Sequence, residues 1–372
     1  MLRILSLLIS FFLILSASGA KALSYESQAK FAVLMDANTG EVLYEKQAHA
    51  SMVPSSMTKL MTLYILFDQL KNKRVTLQTP VTISEKAWRT GGSKTFIALG
   101  SQVTIEDLMR GVVIQSGNDA TVAIAEALAG SEEIFSQHMN ETAKKLGMQN
   151  SHFKNSSGLP EEGHVSTAYD LAVLAHHLIH DFPEYHHYFS ETEFTYHGIR
   201  QHNRNPLLGG NLGVDGLKTG HTEEAGYGIV LSAQKDGRSL VATINGLSSQ
   251  AARAQEAERI LTFGFTNFKN VTLYQKGQAI TSVPVWMGEE DKAELVFAND
   301  VTLLLPIYDK SPREISITYN KPLSAPLVPG TVYAALNLSF SNNRTETVPL
   351  TVAKPMEKAG FFRRAWHKIS AF

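Results

Sequence analysis

Three short motifs follow one another along this chain, and each has an ordinary explanation when taken alone. A serine before an apolar helix is a cap, Ser-Gly-Asn is a turn, and Lys-Thr-Gly is the end of a strand. Their order and their separations, roughly 60 and then roughly 100 residues, favour instead one site to which all three contribute. The motifs are Ser56-Met57-Thr58-Lys59, Ser116-Gly117-Asn118 and Lys218-Thr219-Gly220.

The first motif opens a predicted helix. Apolar residues recur at helical spacing from Met57 to Leu70, directly after the Pro54-Ser55 pair. Ser56 is therefore expected at the helix N-terminus, where backbone N–H groups and the positive end of the helix dipole favour a developing oxyanion. Lys59 lies one helical turn further on, so its amine can reach the Ser56 hydroxyl.

This pair indicates a serine nucleophile activated by lysine. A serine hydroxyl is a weak nucleophile at neutral pH and needs a base to take its proton. Lys59 can act as that base only when its amine is neutral, and burial or nearby positive charge lowers its pKa. Lys218 can supply such a charge and can also bind a substrate carboxylate.

The second and third motifs are predicted to border the same cleft. Ser116 to Asn118 follows a predicted helix, Ile105 to Gln115, and is expected to form a turn. Its hydroxyl can relay a proton to a leaving amine, and its carboxamide can hold a peptide carbonyl or orient the lysines. Lys218 to Thr222 is interpreted as an edge strand, along which a peptide-like substrate can form backbone hydrogen bonds.

On these motifs the chain resembles the penicillin-binding proteins and the class A β-lactamases. It is similar in particular to the low-molecular-mass D-alanyl-D-alanine carboxypeptidases, because its middle motif is Ser-Gly-Asn rather than the Ser-Asp-Asn usual in β-lactamases. Glu161 and Glu162 are the only acidic candidates for a deacylating glutamate, and they are interpreted as part of a solvated loop. Further segments that carry the resemblance are 54–62, 110–120, 203–205, 214–222 and 225–227.

The resemblance implies catalytic roles for the first two motifs. Ser56 is expected to be acylated by the D-Ala-D-Ala carbonyl. Lys59 is expected to act as base in acylation and to activate water in deacylation. Ser116 would pass the proton to the departing D-alanine, and Asn118 would position the substrate.

The resemblance also implies a substrate-binding side. Lys218 and Thr219 are expected near the terminal carboxylate, with Gly220 beside the substrate backbone. The backbone N–H groups of Ser56 and His221 would form the oxyanion hole. Arg253 falls where the family places an arginine that helps to hold the carboxylate, whereas without the resemblance it would be expected on a helix surface.

The N-terminus is predicted to be a cleaved signal peptide. Arg3 precedes an apolar run from Ile4 to Leu15, and the small residues that follow end in Ala20-Lys21-Ala22. The run is short for a bilayer span, so export is favoured over an uncleaved membrane anchor. The chain has no cysteine, which excludes disulfides and a thiol nucleophile.

After the leader, 1–22, the chain is predicted to hold two domains. In 23–269 strands alternate with long helices, including a hairpin at 226–244, which indicates an α+β fold with an antiparallel sheet flanked by helices. The resemblance implies the same arrangement, that of the serine β-lactamases and transpeptidases. In 270–353 helical periodicity disappears, and a small all-β domain is predicted. Its predicted strands are 272–273, 293–297, 301–305, 315–319, 331–338 and 348–352.

The last segment, 354–372, is predicted to be an amphipathic helix lying on membrane lipid. Aromatic residues such as Phe362 and Trp366 cluster on one side, and basic residues such as Arg363 mostly face elsewhere. The alternative is a terminal helix docked on its own protein or on a partner. The resemblance implies anchoring, and hence a peripheral position on the periplasmic side of the bacterial inner membrane.

The composition of the chain limits the kinds of partner and cofactor to be expected. The chain is 44% hydrophobic and 19% charged with a net charge of −1, which suggests neither disorder nor a nucleic-acid partner. Its 13 histidines include His176 and His180 at the i, i+4 spacing of metal ligands. No glutamate lies between them as in a zincin, so neither a metal nor another cofactor is expected.

The expected function is a serine D-Ala-D-Ala carboxypeptidase that trims peptidoglycan stem pentapeptides, with a role in cell wall maturation and crosslink control. β-Lactams would act as covalent inhibitors because their amide mimics the scissile bond and traps Ser56. Two alternatives with the same chemistry are a D,D-endopeptidase and a weak β-lactamase. A third is a penicillin-binding scaffold. The intact set of five motif residues argues against a scaffold: Ser56, Lys59, Ser116, Asn118 and Lys218.

Overall fold

The computed structural model describes residues 25–341 and 344–361. The predicted signal peptide, 1–22, and residues 362–372 of the predicted tail lie outside the described residues.

The described chain divides into two compact units between Thr266 and Asn267. The division predicted from the sequence lies between residues 269 and 270. The structure divides earlier because a helix ending at Asn267 is followed directly by a strand that begins at Phe268, with no linker between them.

In the first unit, strands alternate with helices. The strands are β1 (Phe31–Asp36), β2 (Val42–Lys46), β3 (Pro80–Thr82), β4 (Gln102–Thr104), β5 (Glu193–Tyr196), β6 (Ile199–His202), β7 (Val214–Thr222), β8 (Gly226–Lys235) and β9 (Arg238–Leu247). The helices are α1 (Lys59–Lys71), α2 (Glu85–Arg89), α3 (Ile105–Val113), α4 (Asn118–Ala129), α5 (Glu132–Lys145), α6 (Ala168–Asp181) and α7 (Gln250–Asn267), with 3-10 helices at Ser55–Thr58 and Pro183–Ser190.

Five of these strands form one antiparallel sheet in the order β2-β1-β9-β8-β7. The predicted α+β fold is therefore confirmed. The predicted hairpin is β8–β9, whose turn residues Asp236 and Gly237 have φ of +51° and +72°, as a two-residue type I′ turn requires. Strand β7 is an outer strand of the sheet, so the predicted edge at Lys218 is confirmed as well.

Helices cover both faces of this sheet. Alternate residues of β1 point to opposite faces: Val33 belongs to one buried apolar cluster and Leu34 to the other. The first cluster includes apolar residues of α1, α3, α4 and α6, and the second includes Ile260 and Leu261 of α7. All of β1 is buried as a result, which explains why its sequence, Phe-Ala-Val-Leu-Met-Asp, is almost uniformly apolar.

The second unit is built from strands β10 (Phe268–Tyr274), β11 (Ala279–Trp286), β12 (Lys292–Phe297), β13 (Val301–Pro306), β14 (Glu314–Tyr319), β15 (Leu323–Ser324), β16 (Ala334–Ser339) and β17 (Thr345–Val352). Six of them form a sheet in the order β14-β16-β17-β12-β11-β15, and β10 pairs with β13. The six predicted strands are confirmed, but β11 and β15 are absent from the prediction. Pro284 lies inside β11 between the buried Val283 and Val285, although proline normally interrupts a strand, which explains why no strand is predicted there.

The described part of the predicted tail helix differs from the prediction. Residues 354–360 are not helical, because this stretch pairs with the second unit: Met356 forms a bridge with Leu327, and Lys358 forms one with Gly288. Met356 and Ala359 are buried there. The prediction that a helix begins at residue 354 is therefore wrong. No helix among the described residues is long and apolar enough to cross a bilayer.

The backbone directly before β7 requires a glycine at residue 213. Gly213 has φ of +67°, and a Cβ at this position would lie 1.9 Å from the carbonyl oxygen of Gln234. We expect Gly213→Ala to lower the free energy of unfolding by about 2 kcal/mol or more, because it adds a backbone clash to the strain of a positive φ.

Gly209→Ala is the matched control, since Gly209 has φ of +75° and nothing within 4 Å of such a Cβ. Urea unfolding followed by circular dichroism measures both losses. Equal losses for the two variants would contradict the role assigned to the Gln234 contact.

Candidate active site

The first motif forms a compact turn that brings its serine and lysine together. Ser56 lies in the 3-10 helix, and Lys59 is the first residue of α1. The Lys59 Nζ donates to Ser56 Oγ at 2.9 Å, to Asn118 Oδ1 at 2.7 Å and to the carbonyl oxygen of Ser157 at 2.6 Å. A neutral amine keeps two N–H donors for Asn118 and Ser157 and can turn its lone pair toward the Ser56 hydroxyl.

The environment of Lys59 favours that neutral form. Its side chain is fully buried, and the pKa of its amine is lowered to about 7, mainly by this burial. The positive charge of Arg204 contributes to the lowering, and the Asp119 carboxylate opposes both effects. Near neutral pH a large fraction of Lys59 is therefore able to accept a proton.

The second motif lies in the turn between α3 and α4. Ser116 adopts a left-handed backbone with φ of +64°, and its buried Oγ has no hydrogen-bond partner in the described part of the chain. Asn118 is the first residue of α4, and its Nδ2 donates to the carbonyl oxygen of Gly91 at 2.8 Å. Its amide is thus bonded on both sides, and Asn118 joins the 91–97 segment to Lys59.

The third motif lies on β7, beside the 3-10 helix. A Cβ on Gly220 would lie 3.1 Å from the carbonyl oxygen of Pro54, which explains why a residue without a side chain occupies this position. Lys218 is 2% exposed, and its Nζ donates to the carbonyl oxygen of Thr219 at 3.2 Å. Burial lowers the pKa of Lys218, and the positive charges of Lys59 and two arginines lower it further.

The three motifs open onto one cavity of about 510 Å³. Neither Lys59 nor Lys218 is among the residues that line it. A second cavity, of about 480 Å³, contains none of the motif residues. The first cavity, of about 510 Å³, is lined by Ser56, Ser93, Ser116, Asn203, Arg204, Pro206, Thr219, Gly220, His221, Tyr227, Gln250 and Arg253.

Arg253 lines this cavity, so the alternative that it lies on a helix surface is wrong. It is 6% exposed, its guanidinium lies 6.0 Å from the ring centroid of Tyr227, and its Nη2 donates to the carbonyl oxygen of Arg204 at 3.4 Å. Tyr227 in turn stacks on His221, with ring centroids 3.9 Å apart. Arg253 is held on α7, and α7 packs against the face of the sheet opposite α1.

Three contributors to the site lie outside the three motifs, although Arg204 and Asp119 fall within segments that carry the resemblance, 203–205 and 110–120. Arg204 donates from Nη1 to Ser93 Oγ at 2.8 Å and places a second guanidinium in the cavity wall. Asp119 accepts the backbone N–H groups of Thr95 and Phe96 at 2.8 and 3.0 Å and so holds the 91–97 segment. Ser157 contributes only its carbonyl oxygen, which any residue could provide.

The remaining candidates lie elsewhere. Glu161 and Glu162 are exposed and are not part of the cavity wall, and Glu161 accepts a hydrogen bond from Asn155 at 3.1 Å. His176 binds the carbonyl oxygen of Ala37 through Nδ1 at 2.7 Å. Within 25–341 and 344–361, no group of three or more histidine and carboxylate side chains is placed to hold a metal ion.

Two family models match the chain. Residues 17–248 match the model described as D-alanyl-D-alanine carboxypeptidase, and residues 268–358 match the C-terminal domain of penicillin-binding protein 5. The D-alanyl-D-alanine carboxypeptidase DacC of Escherichia coli (strain K12) is 39% identical over 342 residues, which cover 90% of this chain and 86% of the relative.

Solved structures of related proteins have the same architecture. Penicillin-binding protein 5 from Haemophilus influenzae superimposes with a TM-score of 0.78 at 33% identity, covering 91% of this chain and all (100%) of that one. Penicillin-binding protein D2 from Listeria monocytogenes, solved in an ampicillin-bound form, has a TM-score of 0.60 at 30% identity and covers 65% of this chain and 99% of that one.

The charge of Arg204 provides a test of the site's electrostatics. Since Arg204 disfavours the charged form of Lys59, we expect Arg204→Gln to raise the pKa of Lys59 above its value of about 7. Titration of lysine Cε resonances by ¹³C NMR measures the change. Arg200→Gln, at an exposed arginine on β6, is the control and should leave Lys59 unchanged. An unchanged Lys59 pKa in Arg204→Gln would show that the arginine charge does not reach the amine.

Proposed function

The chain is a serine-type D-alanyl-D-alanine carboxypeptidase of the family that bears this name, and we propose that it releases the terminal D-alanine of peptidoglycan stem pentapeptides through an acyl-enzyme on Ser56. The observation that carries this proposal is the 2.9 Å contact between Ser56 Oγ and the buried amine of Lys59. A serine bonded to a lysine whose pKa is about 7 is prepared for attack near neutral pH.

In the proposed acylation, neutral Lys59 takes the hydroxyl proton while Ser56 Oγ attacks the carbonyl carbon of the penultimate D-alanine. The oxyanion is bound by the backbone N–H groups of Ser56 and His221. Ser116, whose hydroxyl has no partner among the described residues, gives its proton to the leaving nitrogen as the C–N bond breaks and takes a proton from protonated Lys59, which becomes neutral again. D-Alanine departs, and the rest of the peptide remains as an ester on Ser56.

In the proposed deacylation, Lys59 takes a proton from water as the water oxygen attacks the ester carbonyl. The C–O bond to Ser56 breaks, and Ser56 recovers its proton. Asn118 supports both steps by holding Lys59 through its Oδ1 atom at 2.7 Å. Asn118 is also proposed to position the substrate.

The terminal carboxylate of the substrate is proposed to bind at Lys218, Thr219 and Arg253, with Gly220 leaving room beside the peptide backbone. Supporting this, burial lowers the pKa of Lys218 and of the guanidinium of Arg253, and the positive charge of Arg204 lowers both further. A carboxylate placed between these groups relieves the repulsion and forms charge-assisted hydrogen bonds. Arg204 would add to this binding.

β-Lactams are proposed to acylate Ser56, because their amide presents a carbonyl to the same nucleophile. The ampicillin-bound form of the related Listeria monocytogenes protein supports this step. The proposed biological role is control of crosslinking in the maturing cell wall. A stem peptide that has lost its terminal D-alanine no longer has the D-Ala-D-Ala bond that it would donate in crosslinking.

The proposed location is the periplasmic side of the inner membrane. Residues 1–22 would be removed on export, leaving the catalytic unit, the β-rich unit and a membrane-bound tail. Because 354–360 pairs with the second unit, the lipid-binding helix would begin no earlier than Phe361. Its basic and aromatic residues suit anionic lipid.

Release of free D-alanine from a stem pentapeptide tests the activity. We expect the mature chain to release D-alanine and Ser56→Ala to lose at least about three orders of magnitude in kcat/KM, because the nucleophile is removed. Ser190→Ala, at an exposed serine, should match the parent. Release by neither form, with penicillin still attached at Ser56, would refute the substrate assignment and favour the endopeptidase or scaffold alternative.

Co-sedimentation with vesicles containing anionic lipid tests the tail. A chain ending at Phe361 keeps Met356 and Ala359, which are buried in the second unit, and loses only 362–372. We expect the mature chain to sediment with vesicles and the shortened chain to remain in the supernatant while releasing D-alanine at the same rate. Sedimentation of both forms would place the membrane contact outside 362–372.

A further inference from the structure

We propose that His164 is a positioning residue that holds the 152–165 loop against the first motif and thereby keeps Lys59 buried and aligned with Ser56. The inference rests on the proposed function, since it concerns the base of that reaction. His164 belongs to none of the three motifs and does not line the cavity.

The 152–165 loop supplies the acceptor that orients Lys59. Its ends are joined by a bridge in which the N–H of His152 donates to Val165 at 2.8 Å and that of Val165 donates back at 2.9 Å. At its tip the Ser157 carbonyl oxygen accepts from Lys59 Nζ at 2.6 Å. The Ser156 carbonyl oxygen accepts from Thr62 Oγ1, one turn along α1, at 2.7 Å.

His164 fastens this loop to the residue beside Lys59. It is 3% exposed, and its Nε2 lies 2.9 Å from Thr58 Oγ1. Its Nδ1 accepts the backbone N–H of Lys154 at 3.2 Å. An imidazole that accepts at Nδ1 carries its proton on Nε2, so His164 is neutral and donates to Thr58.

The contact between loop and motif leaves little room for movement. Gly158 has φ of +79°, and a Cβ there would lie 1.8 Å from the carbonyl oxygen of Ser55 and 2.8 Å from Thr58 Oγ1. The loop backbone therefore lies directly on the 3-10 helix that carries Ser56. A shift of the loop would move the Ser157 carbonyl oxygen and admit water to the Lys59 amine.

Burial keeps His164 neutral at physiological pH. The pKa of His164 is lowered to about 4, mainly by burial; Glu161 opposes this lowering, and His152 and Lys59 contribute to it. When His164 is protonated, its Nδ1–H faces the N–H of Lys154, and two donors oppose each other. The hydrogen bond from the Lys154 N–H to His164 is therefore present well above pH 4 and is lost as the pH falls through this value.

Two variants separate positioning from a general effect on folding. His164→Gln keeps an N–H that can donate to Thr58, whereas His164→Leu retains bulk but has no hydrogen bond. His138→Gln, at an exposed histidine of α5, is the control. For each variant, kcat and KM for D-alanine release are measured across pH, together with the pKa of Lys59 by ¹³C NMR and hydrogen exchange of 152–165.

We expect His164→Leu to lower kcat about 10- to 100-fold with little change in KM, since a small misplacement of a base has effects of this size. Burial is the largest cause of the low Lys59 pKa, so entry of water should raise that pKa and move the pH of half-maximal activity upward. Exchange in 152–165 should accelerate. His164→Gln should recover most of kcat, and His138→Gln should match the parent.

The inference is overturned if His164→Leu has the parent's kcat, Lys59 pKa and loop exchange, or if it only melts at a lower temperature. It is also overturned if His164→Gln and His164→Leu are equally impaired. A parent chain that releases no D-alanine would refute the proposed function instead. The Lys59 pKa and the loop exchange would then still decide the role of His164.

Discussion

The burial of one lysine amine is the constraint on which the rest of the site depends. Lys59 is fully buried and bonded to Ser56, Asn118 and Ser157, so each segment that carries an acceptor must be held in place. A buried amine without acceptors would be costly, and an amine left in water would stay charged and could not act as a base. The 3-10 helix, the first residue of α4 and the 152–165 loop therefore converge on a single nitrogen.

An excess of positive charge surrounds this nitrogen. Lys59, Lys218, Arg204 and Arg253 lie near one cavity, and each has its pKa lowered by burial. Asp119 is the carboxylate that opposes this effect at Lys59. Such an arrangement is unfavourable while the cavity holds only water and becomes favourable when a carboxylate enters. The same repulsion that prepares Lys59 as a base thus provides affinity for a substrate with a negatively charged end.

Much of this arrangement could be predicted because it is local. Ser56 and Lys59 are one helical turn apart, so their contact follows from the backbone alone. The hairpin of β8 and β9 follows from alternating apolar residues around Asp236-Gly237. Prediction failed where a local signal conflicted with tertiary pairing, as at Pro284 inside β11 and at 354–360, where isolated bridges to 288 and 327 replace the expected helix.

The sequence by itself determined the chemical groups, their order and the periodicity of the elements that carry them, because these depend only on residues close along the chain. Only the tertiary structure decided that Arg253 is buried in the cavity wall, that Arg204 lies beside it, and that a carbonyl oxygen of Ser157 completes the shell of Lys59. A backbone oxygen has no sequence signature, and the degree of burial of an amine depends on segments distant along the chain. The low pKa of Lys59 is for that reason a property of the folded protein and not of its motif.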